Sequence, residues 1–241
     1  IKRCNININN LESRLINAIN SSAYDKLSKL DFNCLNNVIF VGTGGSFAGA
    51  KFSSKIINNL YGLNTIALYP RDLYYRNNSN VDLVFLFTYS GTTNDLLIST
   101  NSIDNKRKYI ITKGELEKIV TKTGIPKKNI ISYRSGTNKG KERGFLSFEG
   151  AVAPASLFLK LYFERNLKDN IEYFIRDCID YWKNYFENYF KENKKILKEF
   201  LKEGNSFNIF TGDFTESASC DLESKIIESG IYNCLIHEKK N

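Results

Sequence analysis

Asn37-Val38-Ile39-Phe40-Val41-Gly42-Thr43-Gly44-Gly45-Ser46 is the stretch that decides the fold. A short continuous apolar run stops at a glycine cluster, and Ala48 to Leu60 then returns apolar residues at helical spacing, so strand, loop and helix follow in order. A glycine cluster between a strand and a helix lets the backbone approach an anion closely and aims the free N–H groups of the helix start at it. The pattern is not G-x-G-x-x-G, because the third glycine would fall at Phe47, and no G-K-[ST] follows, so neither the dinucleotide fingerprint nor a nucleotide P-loop is present. Taken alone, the cluster fits a structural turn as well as a ligand loop.

The same order recurs along the chain. Thr65-Ile66-Ala67-Leu68-Tyr69 is closed by Pro70, and Asp82 to Phe87 is closed by a Ser-Gly turn and followed by a helical 94–100. Lys108 to Thr112 and Asn129 to Tyr133 supply two more runs. Short, fully apolar strands alternating with helices predict an α/β fold: a five-stranded parallel sheet with helices on both faces. Ligands of such sheets bind beyond the carboxyl ends of the strands.

Outside this block, Leu11 to Leu30 reads as one opening helix and Phe145 to Phe163 as another. Ile171 to Leu201 reads as a connector helix whose stripe of Phe174, Cys178, Trp182, Phe186 and Phe190, flanked by Tyr181, Tyr185 and Tyr189, suits a core or a subunit interface. After Gly204, Phe207-Asn208-Ile209-Phe210, Thr211-Gly212-Asp213 and a polar helix through Glu228 repeat the strand, loop and helix of 38–60. The expected organisation is a first domain over 1–167, a helical connector over 168–203, and over 204–241 the truncated beginning of a second, similar unit. The chain opens at Ile1 and contains no methionine, which fits either an excised fragment or a sequence from which modified methionines have been left out.

Thr88-Tyr89-Ser90-Gly91-Thr92-Thr93 is the most informative loop, because four hydroxyl residues surround a glycine at a strand end directly before a helix. A plain N-cap needs one hydroxyl, whereas several hydroxyls together with helix N–H groups suit a phosphate dianion.

The two loops, their order and their spacing resemble the sugar isomerase (SIS) domain family, whose members bind phosphosugars with a first glycine loop ending in serine and a second of the form S-x-S-G-x-T. Here the second reads Thr88-x-Ser90-Gly91-x-Thr93, with threonine in the first position. The resemblance extends to Glu142-x-Gly144-Phe145-x-Ser147 and to Asp221-Leu222-Glu223-Ser224-Lys225-Ile226-Ile227-Glu228. It implies that Gly44, Gly45, Ser46, Thr88, Ser90, Gly91 and Thr93 bind the phosphosugar and that Ser147 lies on the far wall. It also implies that Lys225 and Glu228 match the Lys-x-x-Glu pair of isomerising members, in which the glutamate moves a proton between C1 and C2 while the lysine lies close to the sugar. On spacing alone, i and i+3 put both side chains on one helix face, as a surface ion pair would also require. The family's ring-opening histidine stands in an H-G pair; His237 is followed by Glu238, so its counterpart is expected beyond Asn241.

The implied activity is a phosphosugar isomerase, or an aminosugar-phosphate isomerase or deglycase, using general-base proton transfer and neither a metal nor a redox cofactor. A non-catalytic phosphosugar sensor is the alternative. The expected partners are the small-molecule phosphosugar and a second copy of the chain in a homodimer, without a membrane. No apolar run approaches the ~20 residues that span a bilayer, and no signal core follows Ile1-Lys2-Arg3-Cys4, so a cytoplasmic place is expected. The five cysteines are widely spread without a C-x-x-C pair, which indicates neither a disulfide framework nor a zinc site and suggests buried thiols.

The net charge of +8 concentrates between Asn105 and Gly144, where twelve Lys and Arg face three acids. That segment reads as a solvated face or an anion-steering surface. It lacks the interleaved aromatics of a nucleic-acid stacking platform.

Overall fold

A computed structural model describes residues 9–101, 103–134, 148–200, 206–212, 215–229 and 233–238 of the chain. Five strands, β1 (Asn37–Val41), β2 (Asn64–Leu68), β3 (Leu83–Phe87), β4 (Lys108–Thr112) and β5 (Ile130–Ser132), form one sheet in the order β2-β1-β3-β4-β5. Every pairing is parallel, with Val38 opposite Thr65 on one side and Leu83 on the other. The expected α/β sheet is therefore present, and its strands fall where the apolar runs predict.

The alternation of side chains along the strands divides the core in two. Val38, Phe40, Leu83, Phe85 and Phe87 face one layer, built from α1 (Leu11–Ile19), α2 (Ser22–Ser28), α3 (Gly45–Tyr61) and α7 (Glu149–Tyr162). Phe158 sits in the middle of this layer, 5.5 to 5.9 Å from the rings of Phe40, Phe85 and Phe87. Each such ring, taken fully out of water, contributes ~1.5–3 kcal/mol. Ile39, Val41, Val84, Leu86 and Ile110 face the other layer, covered by α4 (Pro70–Tyr75), α5 (Asn94–Ser99) and α6 (Leu116–Thr123) through Leu73, Leu96 and Ile119.

Two sequence expectations need correction here. The single helix over 11–30 is two helices, because Ser21 caps α2, accepting from the Ala23 N–H while its hydroxyl donates to the Ala18 carbonyl at 2.6 Å. Pro70 does not merely end β2; it opens α4 from the first helical position, where its missing N–H costs nothing.

The long helix α8 (Ile171–Phe200) buries Ile171, Ile175 and Ile179 against the first layer. Phe174, Cys178 and the tyrosines 181, 185 and 189 remain exposed, the three tyrosines stacking in a row 6.0 and 5.8 Å apart. Trp182 lines an apolar cavity of about 530 Å³ with Leu15, Phe52, Ile175 and Asp221, while the side chains of Phe186 and Phe190 lie outside the described residues. Beyond α8, β6 (Ser206–Thr211) and β7 (Asn233–Glu238) pair in parallel around α9 (Thr215–Ser229). No described helix is long and apolar enough to cross a membrane. Of the cysteines, Cys34 and Cys178 are exposed and Cys220 is half-buried, leaving Cys234 as the buried thiol among those described.

Candidate functional site

The strand order puts a switch point between β1 and β3: the chain leaves β1 into α3 on one face and leaves β3 into α5 on the other. The crevice in which sheets of this kind hold ligands lies over the carboxyl ends of such a pair of strands. Its two lips are the loops 42–46 and 88–93.

At the first lip, Gly44 caps α3 with φ +52 and ψ −134, a conformation open to glycine. The start of α3 is held by the Thr43 carbonyl, which accepts from the Ser46 N–H at 3.0 Å. Gly45 leaves room for a visitor from the far end of the chain: a Cβ there would stand 2.9 Å from Asp221 Oδ1 and 3.7 Å from Lys225 Nζ.

At the second lip, the hydroxyls of Thr88 and Thr93 lie 2.8 Å apart, and the Gly91 N–H donates to Thr88 Oγ1 at 3.3 Å. Gly91 turns the loop with φ +78. Ser90 Oγ accepts from the Thr92 N–H at 3.3 Å and stands exposed. Three of the four hydroxyls therefore divide the tasks. Thr88, buried, and Thr93 brace the loop, while Ser90 faces outward. Thr93 occupies the N-cap of α5 without a side-chain cap bond, so its hydroxyl serves the Thr88 contact instead.

α9 carries Lys225 to this crevice. Glu216 in its first turn pairs with Lys51 and with Lys55, the latter at 2.9 Å, which anchors α9 along α3. One turn of helix before Lys225, Asp221 accepts from Lys225 Nζ at 2.7 Å, and the ammonium also lies 5.8 Å from the centre of the Phe148 ring. The structure thus joins Gly45 and Lys225 across 180 positions of sequence. Glu228 belongs to the same helix, but its side chain lies outside the described residues, as does the whole of Ser147. His237 sits on β7, with Nε2 2.9 Å from Asn208 Oδ1 and its ring stacked on Phe210.

Sequence reasoning missed a buried charge cluster behind the second lip. Glu149, at the first turn of α7 and 0% exposed, receives both Lys113 Nζ and Arg14 Nη1 at 2.6 Å. The Tyr89 hydroxyl donates to the same carboxylate at 3.2 Å. The Lys113 N–H and the Thr112 hydroxyl both donate to the Tyr89 carbonyl, so the cluster grips the 88–93 loop at its second residue. Among the described contacts two cations meet this one carboxylate, a balance that favours an anion above the loop. The available signal was Lys113 itself, which follows β4 at the carboxyl edge of the sheet. The basic segment around it is otherwise partly spent on ion pairs, Lys118 and Arg134 with Glu115 and Lys127 with Glu117. Those two partners hold the Glu115 carboxyl at about 2, well below its usual range, chiefly through the Lys118 hydrogen bond.

No family model matches the sequence, and no curated protein matches it. Solved structures do match the fold. The C-terminal domain of glucosamine-fructose-6-phosphate aminotransferase from Francisella tularensis superposes with a TM-score of 0.66 over 98% of this chain and 68% of its own, at 15% identity. A tagatose-6-phosphate ketose/aldose isomerase from Escherichia coli gives 0.68 over 96% and 66%, also at 15%. A glucosamine-6-phosphate deaminase from Thermotoga maritima gives 0.64 over 94% and 69%, at 18%. The fold is thus the one these phosphosugar enzymes share, the sugar isomerase domain fold that the two loops implied. At such identities the likeness is one of fold.

Proposed function

We propose that the chain binds a phosphosugar in the crevice between the 42–46 and 88–93 loops and, with Lys225 and Glu228, moves a proton between C1 and C2 of the open-chain sugar. The observation that carries this reading is Lys225, brought by α9 against the glycine loop at the mouth of the crevice. The phosphate sits on the Ser90 hydroxyl and the N–H groups of the second lip, with the Glu149 cluster's surplus charge beneath. Holding the phosphate fixes C1 and C2 relative to the base. Glu228 takes the proton from one carbon, an enediol forms, and the same carboxyl returns the proton to the neighbouring carbon. Lys225 faces the oxygen that gains charge. General-base transfer of this kind contributes ~10²–10⁴-fold.

A homodimer belongs to the same reading, supported by the exposed apolar side chains of Phe210 and Leu235 on β6 and β7 and by the tyrosine row on α8. So does the view that 204–241 begins a second unit like the first, supported by its parallel strand, helix and strand.

Glu228→Gln separates binding from chemistry. The variant is expected to lose isomerisation while holding phosphosugar within a few fold, because the amide keeps the shape and lacks the basic oxygen. Ser90→Ala is expected to weaken every phosphorylated sugar by roughly 1.5–3 kcal/mol, the worth of a hydrogen bond to a charged group. Full turnover in Glu228→Gln removes that residue as the base. Tight binding by the parent without turnover on any phosphosugar replaces the enzyme with a sensor.

A further inference from the structure

A second cavity, of about 440 Å³, opens beside the crevice on the side away from α3 and α9. Thr43 of the glycine loop forms its near edge, α4 supplies Arg71, Tyr74 and Tyr75, and α5, the helix begun by the second lip, supplies Asp95. Its walls therefore continue the exits of β1, β2 and β3, the first and third of which begin the two loops. A ligand whose phosphate rests on 88–93 can extend over Thr43 into this space without leaving the carboxyl edge of the sheet.

The lining says what kind of extension fits. Tyr74 and Tyr75, which line the cavity, are 59% and 76% exposed and meet edge to face at 5.2 Å, so they offer aromatic surface outside the core. Tyr69 closes one wall, itself backed by Phe47 at 3.9 Å between ring centres. The side chains of Arg71 and Asp95 form no hydrogen bond or ion pair with another described residue. Aromatic faces accept the slightly positive C–H face of a saturated ring, and a guanidinium and a carboxylate together suit hydroxyls, which both accept and donate. An extension carrying a single net charge would meet one of the two with like sign. The volume lies within the ~300–1,000 Å³ of small-molecule sites.

We propose that this cavity takes a second sugar ring, so that the chain's ligand is a disaccharide phosphate whose phosphate-bearing ring keeps a free C1 and carries the second sugar on another hydroxyl, rather than a free hexose phosphate. The inference rests on the phosphosugar reading of the neighbouring crevice and names the substrate class of that site. The phosphate-bearing ring lies between the two lips, and the second ring lies across Tyr74 and Tyr75 with its hydroxyls on Arg71 and Asp95.

Calorimetric titration of the protein with inorganic phosphate, glucose 6-phosphate, and maltose, cellobiose and laminaribiose each phosphorylated at O6 of the reducing ring tests the two readings separately. At least one disaccharide phosphate is expected to bind about tenfold or more tightly than glucose 6-phosphate. Tyr74→Ala with Tyr75→Ala is expected to erase that advantage and leave glucose 6-phosphate within about twofold, since both side chains are exposed and their loss spares the core. Equal affinity of all four sugars, or an advantage that survives the double substitution, overturns the second-ring proposal and leaves the phosphosugar site standing. Failure of every phosphorylated compound to bind, or binding unchanged in Ser90→Ala, overturns the phosphosugar reading and the second ring with it.

Discussion

β1–α3–β2 and β6–α9–β7 are the same parallel construction, yet they are held in opposite ways. β1 lies between β2 and β3 with both faces covered, and its last four residues are buried. β6 has one described neighbour, alternates between exposed and half-buried positions, and leaves Phe210 81% and Leu235 59% exposed. The helix α3 is fixed by the sheet beneath it and by α7, whereas α9 is fixed largely by α3, through Glu216 on Lys51 and Lys55. The difference teaches that the second construction takes its position from the first. A lysine can arrive at the glycine loop because its helix docks on the helix which that loop begins.

The comparison breaks hardest at the buried end. Glu149→Ala leaves the buried Lys113 and the half-buried Arg14 without their shared carboxylate and is expected to cost roughly 3–5 kcal/mol, read by denaturant titration. The matching change in α9, Glu216→Ala, removes pairs nearer the surface and is expected to cost about 1 kcal/mol or less. Equal losses would erase the distinction between the two regions.

Two glycines of α3 sharpen it next. A Cβ at Gly49 would meet the Ala151 carbonyl oxygen at 2.8 Å, a backbone atom of α7 with nowhere to move, so Gly49→Val is expected to cost about 1–3 kcal/mol. At Gly45 the obstacle is the Asp221 side chain, which can swing away. Gly45→Ala is expected to change stability by less than about 0.5 kcal/mol. It is also expected to lower turnover on phosphosugar, because Asp221 and Lys225 shift with it.

Acid acts on the first construction. Asp82 accepts from the N–H groups of Asn36 and Asn37 at 2.7 and 2.9 Å, and these bonds hold its carboxyl below the usual range, as Lys118 and Arg134 do for Glu115. Groups lowered on folding stabilise the folded state above their unfolded values, near 4, and lose that contribution as pH falls through the folded ones. Melting temperature is expected to decline from about pH 5 toward pH 2. Amide exchange at Asn36 and Asn37 should rise over the same window, and Glu115→Gln should flatten part of the decline.

The smallest effect lies on the open sheet. Phe210→Ser and Leu235→Ser are expected to leave stability within about 0.5 kcal/mol and to weaken self-association in sedimentation. A large stability loss without any change in association would mean that another part of the same chain covers this face.

What could be read from the sequence follows the same division. The central strands β1 and β3 lie under nearly continuous apolar runs, because a strand covered on both faces leaves little room for a polar residue; β2, at the sheet edge, is exposed or half-buried throughout and is legible from Ile66, Ala67 and Leu68. β7 was not legible: Asn233-Cys234-Leu235-Ile236-His237-Glu238 is half exposed and carries polar ends. On α8 the aromatic stripe outweighed Ile171, Ile175 and Ile179, although the isoleucines form the buried face; large rings at helical spacing mark amphipathicity without saying which side is wet. Of the site, the two lips were legible because each is local, a strand end and a helix start separated by a few residues. The Glu149 cluster was not, since its members lie 36, 60 and 135 positions away from the glutamate and nothing local pairs them.

Trp182, lining the apolar cavity beside Asp221, is the one indole in a chain with fourteen tyrosines. Excitation at the red edge of aromatic absorption therefore isolates a chromophore a single cavity wall away from the helix that carries Lys225. Its emission colour and quenching by added iodide report whether α9 is seated on α3, without a label and in the unmodified protein. The chain thus carries its own optical gauge of the docking on which the lysine's arrival depends.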